Sequence, residues 1–417
     1  ERRTAPQAGT RPLLRAPGAL ARLHQARRPN YLRANIRVNV DGLSPEQVAR
    51  AIDDALRAER IVRVETAKLY DVAIGARVLD ALPERVRPQH GGRVLVVADE
   101  RLAALGETIA RTYRHAGIEG GSLAVRADES LKSLDSLAAL YTAFVERGVD
   151  RRGLIVGVGG GTIGDAVGFA AATFQRGVPY AGVPTTLLAA VDAAIGGKTA
   201  VNLPSGKNLV GTVTQPAFVA IAPQMMRTLP RRDVVSGYGE MLKYGLALDA
   251  ELYHALRADE ETLLADPGSA LDPIARCVEL KARIVAEDEE DRTGARAVLN
   301  FGHTVGHALE KVAGYGALRH GEAVIVGMRA ALALSVMCGT LPETVRADAD
   351  AHLAAIPVPE LWRQLRADAV IEATRSDKKR HAGGTQFVLL DAIGTARLHD
   401  GVQPEHVRAA LAEIGLS

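Results

Sequence analysis

Only two cysteines occur in the 417-residue chain, Cys277 and Cys338, and they form no C-x-x-C pair. A disulfide framework is therefore not expected, and a reducing cytoplasm is the natural setting. An excess of charge of one sign is also missing. The net charge of +2 leaves no electrostatic footprint for nucleic acid or for an anionic membrane. Long apolar runs are missing too: the longest stretch, residues 154–174, is broken by Asp165 and a glycine triplet. It predicts a buried strand, loop and helix instead of a membrane span. What is abundant is core-forming material. Hydrophobic residues make up 47% of a chain long enough for two domains and an appendage.

Acids are nearly absent from the N-terminus. The first 35 residues hold eight arginines and one acid, Glu1, with Pro6, Pro12, Pro17 and Pro29 interspersed. Such a bias fits an organelle transit peptide, or a solvated or partner-packed tail. Beyond it the texture becomes regular. Residues 92–99 form a strand-length apolar run ending in Asp99, residues 102–113 have helical spacing, and residues 122–125 suggest the next strand. A helix over 133–148 and a buried strand over 153–158 follow. This alternation predicts a parallel sheet with helices on both faces. From Arg231 to about residue 354 the pattern is mostly helical. The expected fold is α/β: a Rossmann-like N-terminal nucleotide-binding domain over residues 58–226, then a mainly α-helical metal-binding domain over 227–417. Residues 1–57 are an appendage and linker, and a site is expected in the cleft between the two domains.

Residues 159–165 run Gly159-Gly160-Gly161-Thr162-Ile163-Gly164-Asp165, after a strand and at the start of a helix. Backbone N–H groups and a helix N-terminus can cradle a pyrophosphate in that context. The usual fingerprint wants an acid about 20 residues later, yet none occurs between Asp165 and Asp192. Asp99 is the better candidate for the adenosine ribose, so the dinucleotide site has a non-standard layout. Glu240 and Lys243, three apart, share one helix face, and so do His303 and His307, four apart. A carboxylate and two imidazoles leave a tetrahedral metal with one open position, as in catalytic zinc. Spacing nominates His303 with His307 and leaves His320 as a third ligand or as an ordinary histidine. Metal and dinucleotide together suit hydride transfer at an alcohol whose oxygen the metal grips.

A cationic set comprises Arg176, Lys198, Lys207, Lys243, Lys281, Arg296, Lys378 and Lys379, with Asn208 beside Lys207. Lys198 and Lys207 stand out because they lie in glycine-rich, apolar sequence, where backbone can approach a ligand. The set suits a substrate carrying phosphate and carboxylate. Thr185 and Thr186 are either hydroxyl donors to a cofactor or a cap for a helix starting at Leu187.

Taken together, residues 65–410 resemble the 3-dehydroquinate synthases, a family of sugar-phosphate cyclases. The dense matches are residues 159–165, 174–177, 184–188, 192–202, 206–208, 236–243, 279–281, 299–307 and 320–322. The resemblance implies Glu240, His303 and His320 as ligands of zinc (cobalt is also admissible), with His307 in catalysis instead. It implies NAD contacts from Asp99, Glu129, Lys132, Gly160, Gly161, Thr162, Asp165, Thr185, Thr186, Lys207 and Thr228. Substrate contacts would come from Arg176, Asp192, Lys198, Asn208, Lys243, Lys281, Arg296, Asn300 and Lys378. The implied substrate is a seven-carbon keto-acid phosphate. NAD oxidises its C5 alcohol, phosphate leaves, the hydride returns, and an intramolecular aldol step closes the carbocycle. A homodimer in the cytoplasm is expected.

Two departures stand out. Arg292 occupies a position that is glutamate in many relatives, with Glu290 or Asp291 as substitutes, and Tyr238 makes the stretch before Glu240 bulkier. Residues 10–57 also resemble the tail of shikimate kinase, through residues 11–14, 27–31 and 40–46. These ordered matches replace the transit-peptide reading with that of a kinase–cyclase fusion lacking its kinase. Accordingly, no G-x-x-x-x-G-K-[ST] loop occurs. The rival readings are another sugar-phosphate cyclase, a metal-dependent polyol dehydrogenase with net redox, and an inactive scaffold.

Overall fold

The computed structural model describes residues 22, 23, 25, 42–376 and 385–416. Two compact units are present, Glu1–Ala58 and Glu59–Ser417. In the first, helix α1 (Pro45–Arg57) begins with a capping box: Ser44 Oγ accepts from Gln47 N and the Gln47 side chain accepts from Ser44 N. The other shikimate-kinase-like stretches, residues 11–14 and 27–31, lie outside the described residues.

The second unit is built on a seven-stranded sheet of order β1-β2-β9-β6-β5-β3-β4. Its strands are β1 (Glu59–Val64), β2 (Tyr70–Gly75), β3 (Val94–Asp99), β4 (Gly120–Val125), β5 (Leu154–Gly159), β6 (Tyr180–Pro184) and β9 (Phe218–Ile221). Only β1 runs antiparallel to its neighbour. Every residue of β3 and β5 is buried, as their continuous apolar sequence requires of parallel strands covered on both faces. Helices α2 (Ala103–His115), α3 (Leu134–Glu146) and α4 (Gly161–Thr173) supply that cover. The chain leaves β3 for β4 on one side and returns to β5 on the other, so the order reverses at β3/β5. Ligands of open α/β sheets bind outside the carboxyl ends of strands at such a point. Asp99 and the glycine turn end those two strands.

A separate antiparallel hairpin, β7 (Lys198–Leu203) with β8 (Gly206–Val213), follows β6. Then come helices α5 (Arg231–Leu248), α6 (Ala250–Ala258), α7 (Leu271–Glu287), α8 (His303–Ala313), α9 (His320–Met337), α10 (Glu343–Ala355) and α11 (Ala367–Ser376). A hairpin of β10 (Thr385–Ala392) and β11 (Thr395–Val402), then α12 (Pro404–Glu413), complete it. Among the described helices α9 alone is long and apolar enough to span a membrane, but 83% of it is buried inside the protein. It is the central core helix of the helical half. One apolar core joins Val64, Val72 and Val219 of the sheet to Leu242, Val278 and Ile325 of the helices. The α/β and helical halves therefore share a core.

Candidate active site

The acid and the histidines meet because two helices touch backbone to backbone. A Cβ on Gly321 would stand 1.8 Å from the Ser236 carbonyl oxygen, so only glycine lets α9 approach α5 this closely. Gly321 N donates to Ser236 Oγ at 2.9 Å. The start of α9 is held by the fully buried Glu322, which accepts from Arg319 N at 2.7 Å and from Arg232 at 2.8 and 2.7 Å. On the other side Gly302, at φ 77°, turns the chain into α8, and a Cβ there would lie 2.6 Å from Met328 Cγ. These contacts bring the Nε2 atoms of His303 and His320 to 3.6 and 3.5 Å from Glu240 Oε1. The His307 ring lies 5.3 Å from that of His303 and 5.6 Å from that of His320. One ligand atom from each histidine falls within 4.8 Å of the others.

Glu240 is fully buried, and its Oε2 accepts from Lys243. Oε1 has no hydrogen-bond partner among the described residues, a costly state for a buried acceptor. An orphaned carboxylate oxygen facing two imidazole nitrogens fits a divalent cation. Burial, and then the Lys243 charge, push the His303 imidazole well below its usual range, which keeps it in the neutral form that ligates a metal. For His320 burial is the largest single influence and pulls downward, but the hydrogen bond it donates to Glu310 and the charges of Glu240, Glu310 and Asp192 together make the net shift upward.

A second group adjoins the first. Lys281 donates to the Asp192 carbonyl at 2.5 Å and to its Oδ1 at 2.6 Å, and Tyr244 OH donates to the same Oδ1 at 3.0 Å. Burial alone would raise the Asp192 carboxyl, but Lys281 and Lys243 hold it well below the usual carboxylate range. Asp192 sits in a π-helical turn, Ala189–Ala193, a widened geometry that frequently marks functional sites. Next to it, Lys198 pairs with Asp291 at 2.5 Å, and the buried Arg296 donates to the Glu289 carbonyl at 3.1 Å. Arg296 Nε has no partner among the described residues.

The loop between α7 and Arg296 is tied by Asp288, whose carboxylate accepts from the backbone of Arg292, Thr293 and Gly294 at 2.8–3.2 Å. Burial opposes ionisation, yet these N–H groups hold the carboxyl at about 2. Its folded value is below its unfolded value, so its contribution is complete above about pH 4 and vanishes as pH falls through 2. Acid titration of stability should show Asp288→Ala less stable than the parent at neutral pH, the two converging near pH 2. A constant difference across that range would contradict this.

On the nucleotide side, Gly160 caps α4, and Thr185 N donates to the Gly159 carbonyl at 2.9 Å. A small cleft there is lined by Gly159, Gly160, Gly161, Pro184, Ala193 and Lys198, among others. Beside it, Lys132 donates to Asp165 at 2.6 Å and to Asn208 at 2.5 Å. Glu129 accepts from Asn202 at 2.7 Å and lies 3.5 Å from Lys207, whose ammonium sits 4.2 Å over the Tyr315 ring. Asp99 is buried, with Arg101 across its carboxylate at 2.5–3.1 Å.

Comparison with known proteins gives this geometry a lineage. A family model described as 3-dehydroquinate synthase N-terminal matches residues 122–236, and one described as 3-dehydroquinate synthase C-terminal matches residues 237–380. The 3-dehydroquinate synthase of Rhodopirellula baltica is 41% identical over 314 residues, covering 74% of this chain and 84% of that protein. The chain belongs to the 3-dehydroquinate synthase family. Among solved structures, 2-deoxy-scyllo-inosose synthase complexed with carbaglucose-6-phosphate, NAD+ and Co2+ superposes with a TM-score of 0.75 at 25% identity. That match covers 85% of this chain and all of the other. The 2-epi-5-epi-valiolone synthase of Streptomyces hygroscopicus, with NAD+ and Zn2+ bound, gives 0.74 at 30% identity, covering 83% and 96%.

Against the family-implied set, Glu240, Lys243, His303, His307 and His320 form one cluster, and Asp192 with Lys281 adjoins it. Glu129, Lys132, Asp165, Lys207 and Asn208 form another. Gly160, Gly161 and Thr186 meet at the glycine turn, where Thr186 Oγ1 also caps Ala189 N at 3.2 Å. Thr162 lies in the first turn of α4. Arg176 is not brought to these groups: it is exposed, at φ 65°, beyond the far end of the thirteen-residue α4. Thr228 is exposed at the end of a turn, Pro223–Thr228, and Asn300 is exposed just ahead of α8. Lys378 lies outside the described residues. Of the two substitutes for the missing glutamate, Asp291 reaches Lys198, whereas Glu290 pairs with the exposed Arg292 at 2.8 Å. Tyr244 and Glu310 went unread in the sequence. Their signal is helical spacing, since Tyr244 lies four residues after Glu240 and Glu310 three after His307.

Proposed function

We propose that this chain is a 3-dehydroquinate synthase that converts 3-deoxy-D-arabino-heptulosonate 7-phosphate to 3-dehydroquinate and phosphate, in the shikimate route to aromatic amino acids. The observation that carries the reading is the convergence of Glu240, His303 and His320, with one buried carboxylate oxygen left without a partner among the described residues. The NAD+ and Co2+ or Zn2+ held by the cyclase neighbours support the same cofactors here. Zinc or cobalt at those three residues would polarise the substrate's C5 hydroxyl, and NAD at the glycine turn would take up and return a hydride.

The chain's own residues supply position and charge. Lys198, Lys281 and Arg296 gather cations about the Gly196–Gly197 turn, complementing a substrate with phosphate and carboxylate. Arg296 Nε, without a partner among the described residues, supports an anionic ligand on that side. Asp192, to which Tyr244 also donates, holds the Lys281 ammonium in place, and His307, beside the two ligand imidazoles, is the group suited to move a substrate proton. Asp291 takes the role of the missing glutamate through its bond to Lys198. Contact between substrate and Arg176 requires a second copy of the chain, so the reading includes a homodimer. A cytoplasmic setting and a shikimate-kinase remnant over residues 1–57 belong to the same proposal. The capped start of α1 at Pro45 agrees with the latter.

The deciding assay is phosphate release from the seven-carbon keto-acid phosphate with NAD present. Metal-loaded protein should release phosphate with no lasting NADH absorbance, and a chelator should stop release. No release from metal-loaded protein would refute the reading. Release-free accumulation of NADH would indicate a polyol dehydrogenase with net redox.

A further inference from the structure

Glu310 stands outside the family-implied set, yet its position links it to the metal cluster. It lies on α8 three residues after His307 and seven after His303, so all three side chains share one helical face. Its Oε2 lies 3.0 Å from His320 Nδ1, and its side chain is only 14% exposed. A carboxylate is an acceptor, so the His320 proton must sit on Nδ1. That leaves the lone pair on Nε2, the atom 3.5 Å from Glu240 Oε1. His303 is arranged in parallel: its Nδ1 lies 3.2 Å from the Phe301 carbonyl while its Nε2 faces Glu240. Two imidazoles are thus anchored at Nδ1 and converge through Nε2 on one buried oxygen. His303 is anchored by its own helix start, but His320 opens a different helix and needs an anchor from α8.

We infer that Glu310 is a positioning residue for the metal, fixing the tautomer and ring orientation of His320 across the α8–α9 junction. Partners of this kind set ligand basicity and orientation, and losing one typically weakens metal binding 10–100-fold. The inference rests on the metal reading of Glu240, His303 and His320. A plain ion pair between helices would instead lower stability and leave metal affinity alone.

The test is zinc affinity by chelator competition for the parent, Glu310→Gln and Glu310→Ala, alongside thermal unfolding of each metal-free protein. Glu310→Ala should bind zinc about 10–100-fold more weakly, and Glu310→Gln, which keeps an acceptor oxygen, should fall between it and the parent. In a His320→Ala background the Glu310→Ala change should have little further effect, because the two residues act as a unit. Zinc affinities of both Glu310 variants within twofold of the parent, or an equal loss in the His320→Ala background, would overturn the inference while leaving the proposed function standing. A parent protein that binds no zinc would overturn the metal reading itself.

Discussion

His303→Ala is expected to lose metal and turnover together. The substitution removes one of the two imidazoles facing Glu240 Oε1 and leaves that buried oxygen with a single neighbour of complementary chemistry. Metal content after dialysis should drop to background, and phosphate release should fall by on the order of 10²–10³-fold, the scale of removing one preorganised electrostatic stabiliser. His307→Ala should behave differently, retaining metal while losing turnover. The pair separates a ligand from a proton-transfer group. Zinc at full stoichiometry in the His303 variant would show that the ligand set is wrong.

Gly321→Ala is expected to cost more stability than any other single methyl discussed here. The added Cβ would stand 1.8 Å from the Ser236 carbonyl oxygen and 2.6 Å from its carbon. Those are backbone atoms in the middle of a buried helix, and they cannot rotate away. Relief requires α9 to move off α5, which opens the core and draws His320 away from Glu240. Denaturant unfolding of the metal-free protein should show a loss of about 3 kcal/mol, the upper range for overpacked cores, and zinc affinity should fall in parallel. Gly121→Ala, where an added Cβ meets nothing within 4 Å, provides the control. An unchanged denaturation midpoint for the Gly321 variant would mean that α5 and α9 are not in such close contact.

The sheet was legible where sequence and burial coincide. Apolar runs at 92–99 and 153–158 became β3 and β5, wholly buried, because a strand covered on both faces must be continuously apolar. The β7–β8 hairpin was not legible. No residue of β8 is buried, so it lacks the apolar alternation of a strand, and Lys198, Lys207 and Asn208 read as site chemistry instead. Local spacing and the family resemblance read the metal cluster differently. Residues four apart share a helix face, which made His303 and His307 look like the pair. Which histidine faces the acid depends on what the neighbouring helix brings, and Glu240 Oε1 faces His303 and His320. That crossing is set by Gly302 and Gly321, whose role is visible only in three dimensions. The family resemblance names His320, which spacing left open. It gave no hint of Glu310, whose partner lies ten residues further along the chain and on another helix.

The strand order has a practical consequence for trimming the protein. Strands β1 and β2 precede the family match, which starts at residue 122, yet β2 is hydrogen-bonded to β9 and α7 packs on β1. A chain shortened to begin at residue 122 would leave β9 with a row of unpaired amides, an invitation to edge-to-edge aggregation. It would also unseat the helix that carries Lys281. A shortened chain that keeps this sheet edge and that helix therefore begins no later than Glu59, well ahead of Asp99 and the glycine turn.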